Sequence, residues 1–234
     1  MDLLKFHFSF GSKILFDFFG FPITNTFLIS FLIGIFLSFF FYLSFKDKKI
    51  LPHKLQNFAG LILETILKYI DLITKDRKKS LEIFPLSATL FIFIFCCNLI
   101  EIFPGLGIFP FLKSPSSDLN FTLALAITSM AILHLKALKN LKFNYLKKYF
   151  NFESPILFFI GIMELSSEFT RTLALALRLF GNLFCGEILL ILAYFLFPPL
   201  FSLPFLGLEI LVGFLQALIF AFLIVIFYTL INKV

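Results

Sequence analysis

Arg178 sits inside the apolar run Leu173-Ala174-Leu175-Ala176-Leu177-Arg178-Leu179-Phe180-Gly181-Asn182. A guanidinium stays charged at any usable pH. At the centre of a membrane helix it costs at least about 2.5–3.5 kcal/mol, so an Arg in such a run marks a functional site by default. Glu164, Glu168 and Arg171 precede it in the same segment. At 100° per residue the four groups fall within roughly 80° of one another and form one polar stripe. Glu168 and Arg171 stand at neighbour spacing and can pair. Glu187 falls about 180° around the helix from Arg178 and cannot be its local counter-ion. Ala174, Gly181, Asn182 and Cys185 lie within roughly 60° of the Arg. Faces built of small residues let another helix approach closely, so the Arg is expected to project toward a partner.

Further acidic and amide groups follow in the last apolar run, where Glu209 and Gln216 share a face. A fold-back at Pro198-Pro199 makes the last two segments an antiparallel hairpin. Facing residues then keep a constant sum of residue numbers. Arg178 with Gln216 and Glu187 with Glu209 have almost the same sum, so one register places the amide beside the guanidinium and the two carboxylates beside each other. Two adjacent carboxylates in low dielectric cannot both ionise easily, and such a pair can hold and pass a proton. Glu101 and Asp118 add acidic groups at the expected outer side, which suggests a hydrated acidic path toward an isolated Arg.

The elements that position these groups are apolar. The chain has 234 residues, 60% of them hydrophobic, with mean hydropathy +1.01, well above the 45–50% apolar content typical of soluble domains. This predicts an all-α polytopic membrane protein with a single membrane domain. The expected spans are Ile23 to Phe45, Pro85 to Phe103, Phe121 to Leu138, Pro155 to Phe197 and Pro204 to Ile231. Pro52 to Arg77 reads as an amphipathic helix lying on the membrane surface or against a partner helix. The fourth span is far longer than the roughly 20 residues a perpendicular crossing needs, so the last two segments form a long, strongly tilted hairpin.

The net charge of +6 does not indicate nucleic-acid binding, because the basic residues lie in loops between apolar runs. Lys46–Lys79 and Lys136–Lys148 hold nine and five of the 20 Lys and Arg. This places the basic loops and the C-terminus inside and the N-terminus outside. The first 20 residues lack a signal-peptide pattern. Cys96, Cys97 and Cys185 all lie in apolar runs and suit buried positions. Neither a disulfide framework nor metal-ligand spacing is visible, and no metal or cofactor is expected. A glycine-rich phosphate loop is missing too, so the chain is not expected to be catalytic by itself.

Arg178-Leu179-Phe180-Gly181-Asn182, followed by Gly186-Glu187, resembles the signature of subunit a of F-type ATP synthases. Glu164-Leu165, Glu168-Phe169-Thr170-Arg171, Asn98-Leu99-Ile100-Glu101, Pro115-Ser116-Ser117-Asp118-Leu119-Asn120 and Leu215-Gln216-Ala217-Leu218-Ile219-Phe220 resemble the same family in the same order. The likeness runs from the second span to the C-terminus and is weak over the first 80 residues. Gly186-Glu187 looks bacterial rather than mitochondrial, and Glu209 stands where some bacterial members carry His.

The resemblance implies a proton-translocating stator of the Fo sector, working against a ring of c subunits, with peripheral-stalk b subunits and the rest of the F1Fo complex as partners. It implies a bacterial plasma membrane, with an organellar energy-transducing membrane as the alternative. Protons would be taken up through Glu101, Glu187 and Glu209, load a ring carboxylate, and leave past Glu164 and Glu168. Arg178 would separate the two half-channels, with Gln216 orienting it and Asn182 one turn along the same face. An independent proton-coupled secondary transporter is the alternative reading, and a structural scaffold the third. A transporter predicts internal repeats and broken helices in matched halves, and no convincing repeat is present.

Overall fold

Asp76 decides where the second membrane helix begins. Its carboxylate accepts a hydrogen bond from the Lys78 N–H at 3.0 Å, capping the helix Arg77–Leu99. This start lies well before Pro85, where the sequence pattern places it. The charged first turn is polar enough to escape a hydropathy reading, yet the capped backbone continues through the proline. Residue 75 makes the turn before it: Lys75 takes the left-handed conformation, φ 54°, and its N–H bonds to the Asp71 carbonyl. An ion pair between Arg77 and Asp71 closes the corner.

A computed structural model describes residues 14–18, 21–46, 53–100, 114–141, 145, 155–196 and 199–231. Strands β1 (Ile14–Phe18) and β2 (Phe21–Thr24) form an antiparallel hairpin, which the sequence pattern does not reveal. Helices follow: α1 (Asn25–Phe45), α2 (Lys54–Thr74), α3 (Arg77–Leu99), α4 (Leu119–Leu141), α5 (Pro155–Leu196) and α6 (Pro199–Ile231). A 3₁₀ turn, Pro115–Ser117, leads into α4. Five helices, all but α2, are long and apolar enough to cross a membrane. The expected membrane fold is therefore present, with most ends shifted by a few residues. Pro199 sits at the first position of α6, where its missing N–H costs nothing. Positions 101–103 and 197, at the ends of two expected spans, lie outside the described residues.

The 42 residues of α5 measure about 60 Å at 1.5 Å per residue, twice a hydrocarbon core. The helix must therefore run obliquely. It packs against α6 and α4, and α3 packs on the other side of α6. One continuous core joins them, built from Ile83, Ile94, Met130, Leu133, Leu175, Leu179, Leu183, Ile224 and Val225. Ala88, Ala126, Ala176 and Ala217 are buried where helices cross, so backbones approach closely. Ile66 and Ile70 of α2 join the same core, and Tyr69 meets Phe222 with ring centroids 6.0 Å apart. The apolar face of α2 thus lies against α3 and α6, with Glu64 and Lys68 exposed and 3.4 Å apart.

Polar contacts tie helix ends together at two levels of the bundle. At the start of α1 and α4, the Thr26 hydroxyl of α1 donates to Asp118 at 2.9 Å. Asp118 also accepts from the Asn120 N–H at 3.0 Å, so it caps the start of α4. At the opposite level, the Tyr228 hydroxyl of α6 donates to the Glu82 carboxylate of α3. From α4, Asn140 donates to the same carboxylate at 3.4 Å and Lys136 to the Glu82 carbonyl at 2.7 Å.

Asn98 donates to the Gly213 carbonyl at 2.9 Å and so links α3 to α6. A Cβ on Gly213 would lie 3.1 Å from the Asn98 Cβ, an atom fixed to a helix backbone. Overpacking of this kind costs about 1–3 kcal/mol and outweighs the gain of up to about 1 kcal/mol in helix propensity. Gly213→Ala is therefore expected to lower the melting temperature of the solubilised protein. Gly34→Ala, where nothing lies within 4 Å, is expected to leave it unchanged or raise it.

Candidate functional site

Helix α5 has two unlike faces. Leu175, Ala176, Leu179 and Leu183 are at most 2% exposed and face the chain's own core. Ala174, Arg178, Asn182 and Cys185 are exposed, and Gly181 is half-buried. Leu177 beside the Arg is 46% exposed. The small face predicted around Arg178 therefore points away from the other helices of this chain. Among the described residues Arg178 makes no hydrogen bond and no ion pair. A cation in an apolar zone retains its cost of insertion until a partner meets it.

Toward the C-terminal end of α5, Gly186 lies against Glu209 of α6. A Cβ built on Gly186 would stand 2.9 Å from Glu209 Oε1. The absence of a side chain at 186 is what admits the carboxylate into this interface. Glu209 is 5% exposed, and Glu187, the next residue after Gly186, is half-buried. The two acidic residues therefore share one level of the hairpin. This register carries Gln216, two turns further along α6 and half-buried, to the level of Arg178, although no hydrogen bond joins the two. Glu101 lies outside the described residues.

Toward the N-terminal end of α5, Glu164 is half-buried and Glu168 is 6% exposed. One partner of Glu168 comes from another helix. His134 Nε2 of α4 lies 3.4 Å from Glu168 Oε2. The Arg171 guanidinium, at neighbour spacing from Glu168, lies over the Phe227 ring of α6, 5.6 Å from its centroid. Neighbour spacing along one helix says which groups can meet, while packing decides which do. On the far side of the imidazole, Nδ1 lies 2.6 Å from the Tyr145 hydroxyl. Neither His134 nor Tyr145 was predicted from sequence. Their only signal is a His within an apolar run, which points to no particular partner.

The geometry gives three zones along α5: Gly186 against the buried Glu209 toward its C-terminal end, an outward-facing cation in the middle, and a carboxylate–imidazole contact toward its N-terminal end. The model of the family described as ATP synthase A chain matches residues 26–229. The chain is similar to ATP synthase subunit a of Geobacter sulfurreducens, 34% identical over 185 residues, or 78% of this chain and 76% of that one. It is similar also to ATP synthase subunit a 2 of Syntrophotalea carbinolica, 31% identical over 233 residues, covering 96% and 92% of the two chains. For ATP synthase subunit a of Moorella thermoacetica the identity is 30% over 203 residues, 86% and 88% of the two.

Proposed function

The chain belongs to the ATP synthase A chain family, and from that membership we propose that it is the proton-translocating stator of the Fo sector of a rotary ATP synthase, in a bacterial plasma membrane. Its partners are a ring of c subunits, peripheral-stalk b subunits and the remainder of the F1Fo complex. Protons are taken up from outside past Glu101, Glu187 and Glu209. They load a carboxylate on the ring and, after nearly a full turn, leave past Glu164 and Glu168. Arg178 holds the deprotonated ring carboxylate as it passes and, as a fixed cation, keeps protons from crossing directly between the two paths. Gln216 orients the guanidinium, and Asn182 continues the polar line along the face that meets the ring.

The observation that carries this reading is the placement of Arg178 on an exposed, small-residue face of α5. A charge that serves only its own chain would turn inward or find a partner there. This one is presented outward, on a surface smooth enough for a moving helix to slide past. Cysteine placed at Gly181 in a background lacking the native cysteines tests it. Oxidation is expected to cross-link this position to cysteine-bearing ring subunits within the intact complex, and to stop ATP-driven rotation until the disulfide is reduced. Absence of any cross-link to the ring overturns the stator reading. A secondary transporter would instead carry protons when the purified chain is reconstituted alone, whereas the stator is expected to give no coupled transport without the ring.

A further inference from the structure

We infer that His134 is a proton-carrying residue on the inner side, passing protons between Glu168 and inner water with Tyr145 holding the ring in place; this rests on the stator reading and deepens it. Glu168 lies in α5, roughly 15 Å along the helix from Arg178 toward its inner end. It is 6% exposed, so inner water does not reach it freely. The His134 ring spans the gap. Nε2 is 3.4 Å from Glu168 Oε2, and the His134 side chain is 30% exposed, against 7% for that of Glu168. Carboxylate–imidazole contacts of this length tighten when a proton is in transit.

The ring orientation is fixed from its second nitrogen. Nδ1 and the Tyr145 hydroxyl lie 2.6 Å apart. Tyr145 is 4% exposed and packs with Ala137 and Ile231, which holds the phenol between the inner ends of α4 and α6. The transfer balances without any further reagent. A proton on Glu168 moves to Nε2, leaving the carboxylate and an imidazolium. The imidazolium releases its Nδ1 proton to water, with the phenol oxygen as the hydrogen-bonded neighbour of that site, and the neutral ring, now protonated on Nε2, regains the Nδ1–H tautomer by proton exchange with water before the next transfer. The groups facing this ring among the described residues are Glu168 from α5 and Tyr145 beyond α4. On α6, Tyr228 is turned to Glu82 and Arg171 of α5 is stacked on Phe227. Imidazole suits this step because it is the side chain whose charge changes nearest neutral pH.

Passive proton conduction through the Fo sector, in membrane vesicles stripped of F1, tests the assignment. With His134→Gln, conduction is expected to fall about tenfold, below the range for loss of a general acid–base group because water partly substitutes. Its dependence on the pH of the inner-facing compartment is expected to flatten, and added imidazole to restore part of the rate. Tyr145→Phe is expected to slow conduction less and to keep the inner-pH dependence. Unchanged conduction in assembled His134→Gln sectors overturns the proposal, and so does slower conduction with an unaltered pH profile, which marks a structural tie alone. Should His134→Gln fail to assemble, Glu168→Gln replaces it, and an unchanged rate and profile there overturns the proposal equally. If wild-type vesicles conduct no protons at all, the stator reading has failed instead of this one.

Discussion

Replacing Arg178 with Ala is expected to abolish ATP-driven proton pumping while the complex stays assembled, and to leave a passive proton leak. The first half follows from placement. Arg178 is exposed on α5 and contributes no hydrogen bond or ion pair among the described residues, whereas the packing of that segment comes from Leu175, Ala176, Leu179 and Leu183. Removing the side chain therefore leaves the core intact and relieves about 2.5–3.5 kcal/mol of insertion cost. The subunit should be no less stable for the change. The loss of pumping is electrostatic, because a ring carboxylate arriving at this level no longer meets a fixed cation in a low-dielectric setting. Removal of a preorganised charge of this type costs about 10²–10³ in rate. The leak follows because nothing then bars protons from passing between the two paths. Arg178→Lys keeps the charge but not the planar fork, so it should suppress the leak while restoring pumping only in part. Fluorescence quenching in inverted vesicles reads pumping, and decay of an imposed gradient reads the leak. Coupled pumping retained in the Ala variant would falsify the role given to Arg178.

The sequence carried this much because the relevant signals are local. Membrane helices announce themselves by apolar length, and the angular order of Ala174, Arg178, Gly181 and Asn182 depends only on the 100° step of a helix. The register of α5 against α6 was also legible, since one turn between two long helices leaves a single free offset, and Gly186 against Glu209 falls on it. Other features depend on which helices become neighbours, and no periodicity encodes that. His134 meets Glu168, and Tyr228 meets Glu82, across separations that only tertiary packing closes. The start of α3 was hidden for a different reason. A capped but charged first turn, Arg77-Lys78-Lys79, reads as a loop to any hydropathy argument, although Asp76 supplies the hydrogen bond that makes it helical. The strands before α1 are too short to show a reliable alternation.

The second large effect is expected at the outer acidic pair. Single Glu187→Gln and Glu209→Gln substitutions should each slow ATP-driven pumping and passive conduction by about 10–10², with the ring still attached. Gln keeps the shape and hydrogen-bonding reach of the side chain but cannot take up a proton, so packing around Gly186 should survive while transfer does not. Gly186→Ala gives a separate handle on the same step without touching either carboxylate. Its Cβ would sit 2.9 Å from Glu209 Oε1, closer than real Cβ contacts come, so the carboxylate has to shift. Because Glu209 is 5% exposed, there is little room for it to shift into. Conduction should fall, but less than in Glu209→Gln, since a displaced carboxylate still exchanges protons. Shortening the displaced side chain should undo the conflict, so Glu209→Asp added to Gly186→Ala is expected to recover conduction relative to Gly186→Ala alone. A merely structural glycine would give the reverse, with the double variant worse than either single one. If neither Gln variant slows proton flux, the uptake path does not run between these two helices.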